Sequence, residues 1–251
     1  MHLQLNEETW VFEDKKVILV IPDLHWKNTW EKEIEYTEDG NDITVEKVVF
    51  LGDYVDDYPP RTDKEIYDNL VKVIEFKKRF PDKVDLLFWN HDIQYIFPNT
   101  DCSWKRKSME VSLWILFKEN LDLFKVCVEY GNIVFSHAGF TNDWFLKNLD
   151  VFKKHWLEDD KFNSQFFNNL LKTSDANVLF QVWFCRNGYD TWGWPLWADK
   201  DETEDFDWTL YTYKDLTQVV WHSKVKDITM NPKIIYADCL DSQDSFCMLT
   251  Y

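Results

Sequence analysis

The stretch VILVI at residues 17–21 runs into PDLH at 22–25, and VEKVVFL at 45–51 runs into GDYVD at 52–56. Short β-branched runs closed by Pro or Gly read as buried strands passing into loops, and each of these two delivers an aspartate, Asp23 or Asp53. A third run, VDLLFW at 84–89, delivers Asn90-His91-Asp92, and a fourth, NIVFS at 132–136, ends at His137. Between the second and third, Thr62 with Glu65 forms a capping box, followed by Ile66, Leu70, Val73 and Ile74 at helical spacing up to Pro81. Glu110 to Phe124 reads as a second amphipathic helix, and 140–180 as helical and rich in Phe, Asn and Lys. Residues 183–208 break the pattern with a Trp- and Asp-rich loop; Val219-Val220 leads to Trp221-His222, and strand-like runs at 234–237 and 246–250 close the chain. Strand, polar loop, helix, repeated, is an α/β arrangement, in which ligand sites collect at the C-terminal ends of strands. With no repeat, low-complexity tract or linker, one domain over 1–251 is expected.

Composition sets limits. Of 251 residues, 45% are hydrophobic and 29% charged, which excludes a disordered or fibrous chain. Asp and Glu number 45 against 28 Lys and Arg, a net charge of -17, so the overall field argues against long nucleic acid and anionic membrane as partners. The five Cys are odd in number and lack any C-x-x-C pair, which points away from a disulfide framework or zinc ribbon and toward a reducing compartment. No basic-then-apolar leader opens the sequence and no run reaches the ~20 apolar residues of a membrane span, so a cytoplasmic protein is expected. Aromatics make up 18%, with 14 Trp, while Gly numbers only 6.

Four of the six His, at 25, 91, 137 and 222, stand just past apolar runs. Carboxylate, imidazole and amide oxygen are donors for a hard or borderline divalent cation. Asp23, His25, Asp53, Asn90, His137 and His222 would suffice for two metals with one carboxylate bridging, an arrangement that clamps both oxygens of a phosphoryl displacement.

Asp23-Leu24-His25, Gly52-Asp53-Tyr54-Val55-Asp56, Asn90-His91-Asp92, His137-Ala138-Gly139 and Trp221-His222-Ser223 resemble, in order and spacing, the signature of calcineurin-like metallophosphoesterases, in particular the phosphoprotein-phosphatase (serine/threonine phosphatase-like) branch. The resemblance implies a four-layer α/β/β/α sandwich of mixed sheets with the dimetal site on strand C-terminal loops. It implies that Asp23 and His25 hold one metal, that Asp53 bridges, and that Asn90, His137 and His222 hold the other. The metals would be Mn²⁺ in an assay, with Fe or Zn as cellular alternatives. It further implies that His91 protonates the leaving oxygen, that Asp56 orients His91, and that a metal-bridging hydroxide attacks phosphorus directly. A carboxylate neighbour favours the imidazolium, which suits an acid working near neutral pH.

The sequence departs from the family pattern at several places. Asp57 replaces the Arg that follows the second motif's last Asp, removing a bidentate phosphate clamp. Arg61 and Arg186 are the candidate replacements, each set against a structural role. Trp89 and Trp221 replace glycines, so either the backbone there needs no positive φ or the indoles line the site; Pro22 and Trp26 stand at two further such positions. LWAD at 196–199 resembles the L-W-[SA]-D stretch of the phosphoprotein phosphatases. The Trp cluster at 183, 192, 194 and 197 either packs within its loop or stacks a nucleobase. The expected activity is hydrolysis of phosphate monoesters, possible substrates being phosphorylated proteins or small phosphate esters and nucleotides. A dinucleoside-polyphosphate hydrolase is the alternative enzyme, and a non-catalytic binding module the reading from another class.

Overall fold

VILVI at 17–21 is indeed a strand with every residue buried, the centre of a six-stranded sheet in the computed structural model of the chain. The structure describes residues 3–4, 17–21, 24, 30–32, 34, 45–56, 61–97, 100, 104–155, 162–181, 195–203, 216–226, 228–231, 233–238 and 247–250. The chain divides into two units, residues 1–124 with 240–251, and residues 125–239.

The first unit's sheet has the order β1 (Leu3–Gln4), β11 (Cys247–Thr250), β2 (Val17–Ile21), β3 (Val45–Phe50), β4 (Val84–Leu87) and β5 (Phe124–Lys125), whose last residue passes into the second unit. β2, β3 and β4 run parallel, while β11 is antiparallel to both β1 and β2, so the sheet is mixed. α1 (Asp63–Arg79) starts at the capping box: the Thr62 hydroxyl accepts from the Glu65 amide at 3.2 Å, and Glu65 Oε2 accepts from the Thr62 amide at 2.8 Å. Acidic residues in its first turn and Lys77, Lys78 and Arg79 in its last complement the helix dipole. Its buried face, Ile66, Leu70, Val73 and Ile74, is the one marked by the spacing. Trp30 packs on Phe50 and Phe76, each at 5.5 Å, and its indole N–H donates to Asn69 Oδ1 at 3.1 Å.

Two expected elements are shorter. β4 stops at Leu87, because Trp89 begins the short helix α2 (Asn90–Ile93). The helix expected over 110–124 ends as α3 (Glu110–Glu119), followed by a 3₁₀ turn at Leu121–Leu123. Asn120 breaks it: its side-chain amide donates to the Leu116 carbonyl at 2.8 Å, satisfying a C-terminal acceptor, and Phe124 turns into β5 to stack on Phe88 at 5.0 Å.

The second unit carries a five-stranded sheet in the order β6 (Cys127–Tyr130), β7 (Ile133–Ser136), β8 (Thr217–Val220), β10 (Ile234–Tyr236), β9 (Thr229–Asn231). β7, β8 and β10 are parallel; β6 and β9 flank them antiparallel. β6 was not anticipated from its composition, although Gly131-Asn132, with Gly131 at φ +59°, is a two-residue hairpin signal. The helical expectation for 140–180 resolves into α4 (Asn142–Lys147), α5 (Leu149–Lys154), α6 (Ser164–Leu170) and a 3₁₀ turn at Ala176–Leu179. Their Phe content is an aromatic core: Phe152 and Phe167 lie 5.1 and 5.7 Å from Trp144. Part of the 183–208 loop is helical, as α7 (Lys200–Thr203); 182–194 and 204–215 lie outside the described residues. Among the described residues no helix is long and apolar enough to cross a membrane.

Candidate active site

In the first unit, parallel β3 and β4 release their chains from the same edge of the sheet. The turn after β3 is left-handed twice over, Gly52 at φ +111° and Asp53 at φ +51°, and Asp56 follows at φ +62°. Positive φ at non-glycine residues is uncommon and costly, though Asp tolerates it better than most. A Cβ at Gly52 would lie 2.7 Å from Trp89 Cβ and 3.3 Å from the Leu87 carbonyl, so only glycine lets the two loops approach. Gly52→Ala is therefore expected to destabilise the fold by about 3 kcal/mol or more, combining a strained φ with a backbone-displacing contact, which urea unfolding would measure.

Asp53, Asp56 and Asn90 are each 2% exposed. Asp92 ties the two loops together, accepting from the Tyr54 amide at 3.2 Å through Oδ1 and from the Trp89 amide at 3.1 Å through Oδ2. Burial holds the Asp92 carboxyl well above the usual carboxylate range; the Asp53 charge pushes the same way, and the two amides oppose. Burial, reinforced by the Asp92 charge, also raises the Tyr54 phenol. His91 Nδ1 lies 3.4 Å from Asp56 Oδ2, at the outer limit of hydrogen bonding. The same carboxylate accepts from Gln94 Nε2 and from the Tyr95 hydroxyl.

In the second unit the arrangement is analogous. His137 follows β7 directly and is fully buried, and His222 follows β8 after one residue, the two strands being parallel neighbours. The Trp221 amide donates to the His137 carbonyl at 2.8 Å, and the ring atoms His137 Nε2 and His222 Nδ1 are 2.9 Å apart. Trp197, 6% exposed, stands 5.8 Å from the His222 ring, so this member of the Trp cluster packs rather than presents a stacking surface. Gly139, at φ +101°, fits against Thr203 and Val220, whose nearest side-chain atoms would each stand 3.0 Å from a Cβ at this position.

Asp23, His25 and Arg186 lie outside the described residues, as do Asp57, Trp183, Trp192 and Trp194. Arg61 pairs with Glu65 at 3.8 Å in the first turn of α1. Trp89 has an extended backbone, φ -123°, and Trp221 is not among the positive-φ residues; both are buried, so these indoles fill core where the family pattern has glycine. Among the described residues no group of three or more His, Cys, Asp or Glu is gathered to hold a metal ion. The described members of the expected ligand set are the oxygen donors Asp53 and Asn90 on one sheet edge and two converging imidazoles on the other sheet. This oxygen and nitrogen chemistry fits a hard or borderline divalent cation, and a carboxylate as buried as Asp53 is suited to a cationic partner.

Sequence reasoning missed Gln94 and Tyr95. Their signal is the spacing i, i+3, i+4 from His91, which acquires meaning only once the chain is known to turn helically at Asn90.

A family model described as calcineurin-like phosphoesterase matches residues 16–221. No curated protein matches the chain by sequence. Among solved structures, the cold-active protein-tyrosine phosphatase of a psychrophilic Shewanella species has a TM-score of 0.61 at 13% identity, covering 93% of this chain and 75% of that one. A structure of a cold-active protein tyrosine phosphatase at 1.1 Å gives 0.59 at 14%, covering 93% and 73%. At these identities the likeness is one of fold.

Proposed function

Because the chain belongs to the calcineurin-like phosphoesterase family, we propose that it is a dinuclear metal-dependent phosphomonoesterase of the phosphoprotein-phosphatase type. In this reading Asp23 and His25 would hold one ion, Asn90, His137 and His222 would hold the second, and Asp53 would serve both. The observation that carries it is the His91–Asp56 pair at 3.4 Å, set beside buried Asn90 on the loop that Asp92 staples to the Asp53 turn. A phosphate ester needs a proton for its leaving oxygen, and the His91 imidazole, next to the proposed ligand Asn90, is backed by the Asp56 carboxylate.

When bound, two divalent ions, manganese in the assay, would supply charge neutralisation at phosphorus and activation of the attacking water. The chain's own residues do the rest. Asp56 engages Nδ1 of His91, which leaves Nε2 as the ring position that delivers the proton to the leaving oxygen. Arg186 is the proposed phosphate clamp, with Arg61, paired to Glu65 across an exposed 3.8 Å contact, as the alternative. A reducing, cytoplasmic setting accompanies this reading; Cys127 is a buried free thiol whose pKa burial pushes up.

The test is phosphate release from phenyl phosphate and from a phosphoserine peptide by chelator-treated protein, with and without Mn²⁺. Stimulation of about 10³-fold is expected, metal-ion catalysis being worth several kcal/mol. Absence of release from protein that has bound metal would sink the enzyme reading in favour of a binding module. Release of nucleotides from a dinucleoside polyphosphate, without phosphatase activity, would replace it with the anhydride hydrolase.

A further inference from the structure

We propose that Tyr95 and Gln94 are positioning residues for proton delivery: together they fix the rotation of the Asp56 carboxylate so that Oδ2 faces His91 Nδ1. The proposal rests on the reading that His91 protonates the leaving oxygen.

The geometry specifies which atom donates to which. The Arg106 amide donates to the Tyr95 hydroxyl oxygen at 2.8 Å, so the single hydroxyl proton is directed to Asp56 Oδ1. A carboxylate only accepts, so Gln94 presents Nε2 to Oδ2. A donor on each oxygen restricts the swing about the carboxylate torsion that either bond alone would permit. The oxygen held by Gln94 is the one 3.4 Å from His91 Nδ1. The backbone of Asp56, at φ +62°, sits in a sparsely populated region, and the residue is 2% exposed, so these donors meet its carboxylate away from solvent. Tyr95 is itself anchored: Arg106 reaches from its guanidinium to Asp63 Oδ1 at 2.8 Å, at the start of the 17-residue helix α1. A hydroxyl tied through one residue to a long helix is the kind of rigid support that holds a reacting group in place.

Loss of the Tyr95 hydroxyl frees the carboxylate and lets the His91 ring turn away from the leaving oxygen. The need for an acid grows with the basicity of the leaving group. 4-Nitrophenolate departs with little help, whereas phenolate, of about the Tyr side chain's pKa of ~10, departs poorly without a proton. In the Mn²⁺-loaded enzyme, Tyr95→Phe is expected to lower kcat on phenyl phosphate about tenfold, at least ~5-fold more than on 4-nitrophenyl phosphate, with KM little moved. Tyr95→Phe is also expected to shift the His91 ring signal in histidine-¹⁵N-labelled, metal-free protein.

Equal losses on both esters in a correctly folded variant, or none on either, would overturn the positioning role while leaving the phosphatase reading intact. If the wild type releases phosphate from neither ester, the phosphatase reading fails, and an unmoved His91 ring signal in Tyr95→Phe then overturns the positioning claim by itself. Should Tyr95→Phe not fold, Gln94→Met, which removes the donor on the other carboxylate oxygen, carries the same expectations.

Discussion

Asp53→Asn is expected to lose bound divalent metal and phosphatase activity together, with kcat down at least ~10³-fold, the several kcal/mol attributed to metal-ion catalysis. The substitution is nearly isosteric, and Asn, like Asp, tolerates the left-handed backbone found at φ +51°. The fold should therefore survive, so that a loss of activity reports the removed charge. The apo proteins give the complementary sign. Burial holds the Asp92 carboxyl high and the Asp53 charge adds to it, so removing that charge relieves a like-charge repulsion beside the residue that staples the two loops. Metal-free Asp53→Asn should unfold at no lower urea concentration than metal-free wild type. Metal content by elemental analysis, urea unfolding and phosphate release check the three parts. Retention of two ions per chain by the variant would refute the bridging role.

How much of this was legible in the sequence follows from which forces act locally. The strands at 17–21 and 133–136, and the Val48–Phe50 end of the strand at 45–50, were readable because full burial favours an apolar run, and the start of α1 because a capping box is a local hydrogen-bond exchange between Thr62 and Glu65. That Asp53 and Asn90 follow β3 and β4 in the first unit, and that His137 and His222 follow β7 and β8 in the second, was readable because within each sheet parallel strands put their C-terminal ends on one edge. The end of α3 was not, since Asn120 stops it with a side chain that could equally have pointed to solvent, and since Phe124 answers to Phe88, far away in sequence. Trp89 and Trp221 were ambiguous for the same reason: whether an indole fills core or lines a site depends on neighbours contributed by other strands. The clamp on Asp56 was invisible because Tyr95 and Arg106 meet only through tertiary packing.

His91→Ala separates the acid from the metals. His91 is half-buried, with its side chain 14% exposed, and stands second in α2, where alanine has the better helix propensity, so the local structure has no reason to change. In the proposed site it binds no metal, so two ions per chain should remain, in contrast to Asp53→Asn. What disappears is a positioned proton donor, worth ~10²–10⁴-fold, and kcat on phenyl phosphate is expected to fall by that factor. The fall should be smaller on 4-nitrophenyl phosphate, whose leaving group needs the proton least. Metal-stimulated hydrolysis of phenyl phosphate at the wild-type rate would remove His91 from the mechanism. A variant that lost metal and rate together would instead make His91 part of the metal site, because a ring that only donates a proton has no means of lowering metal occupancy.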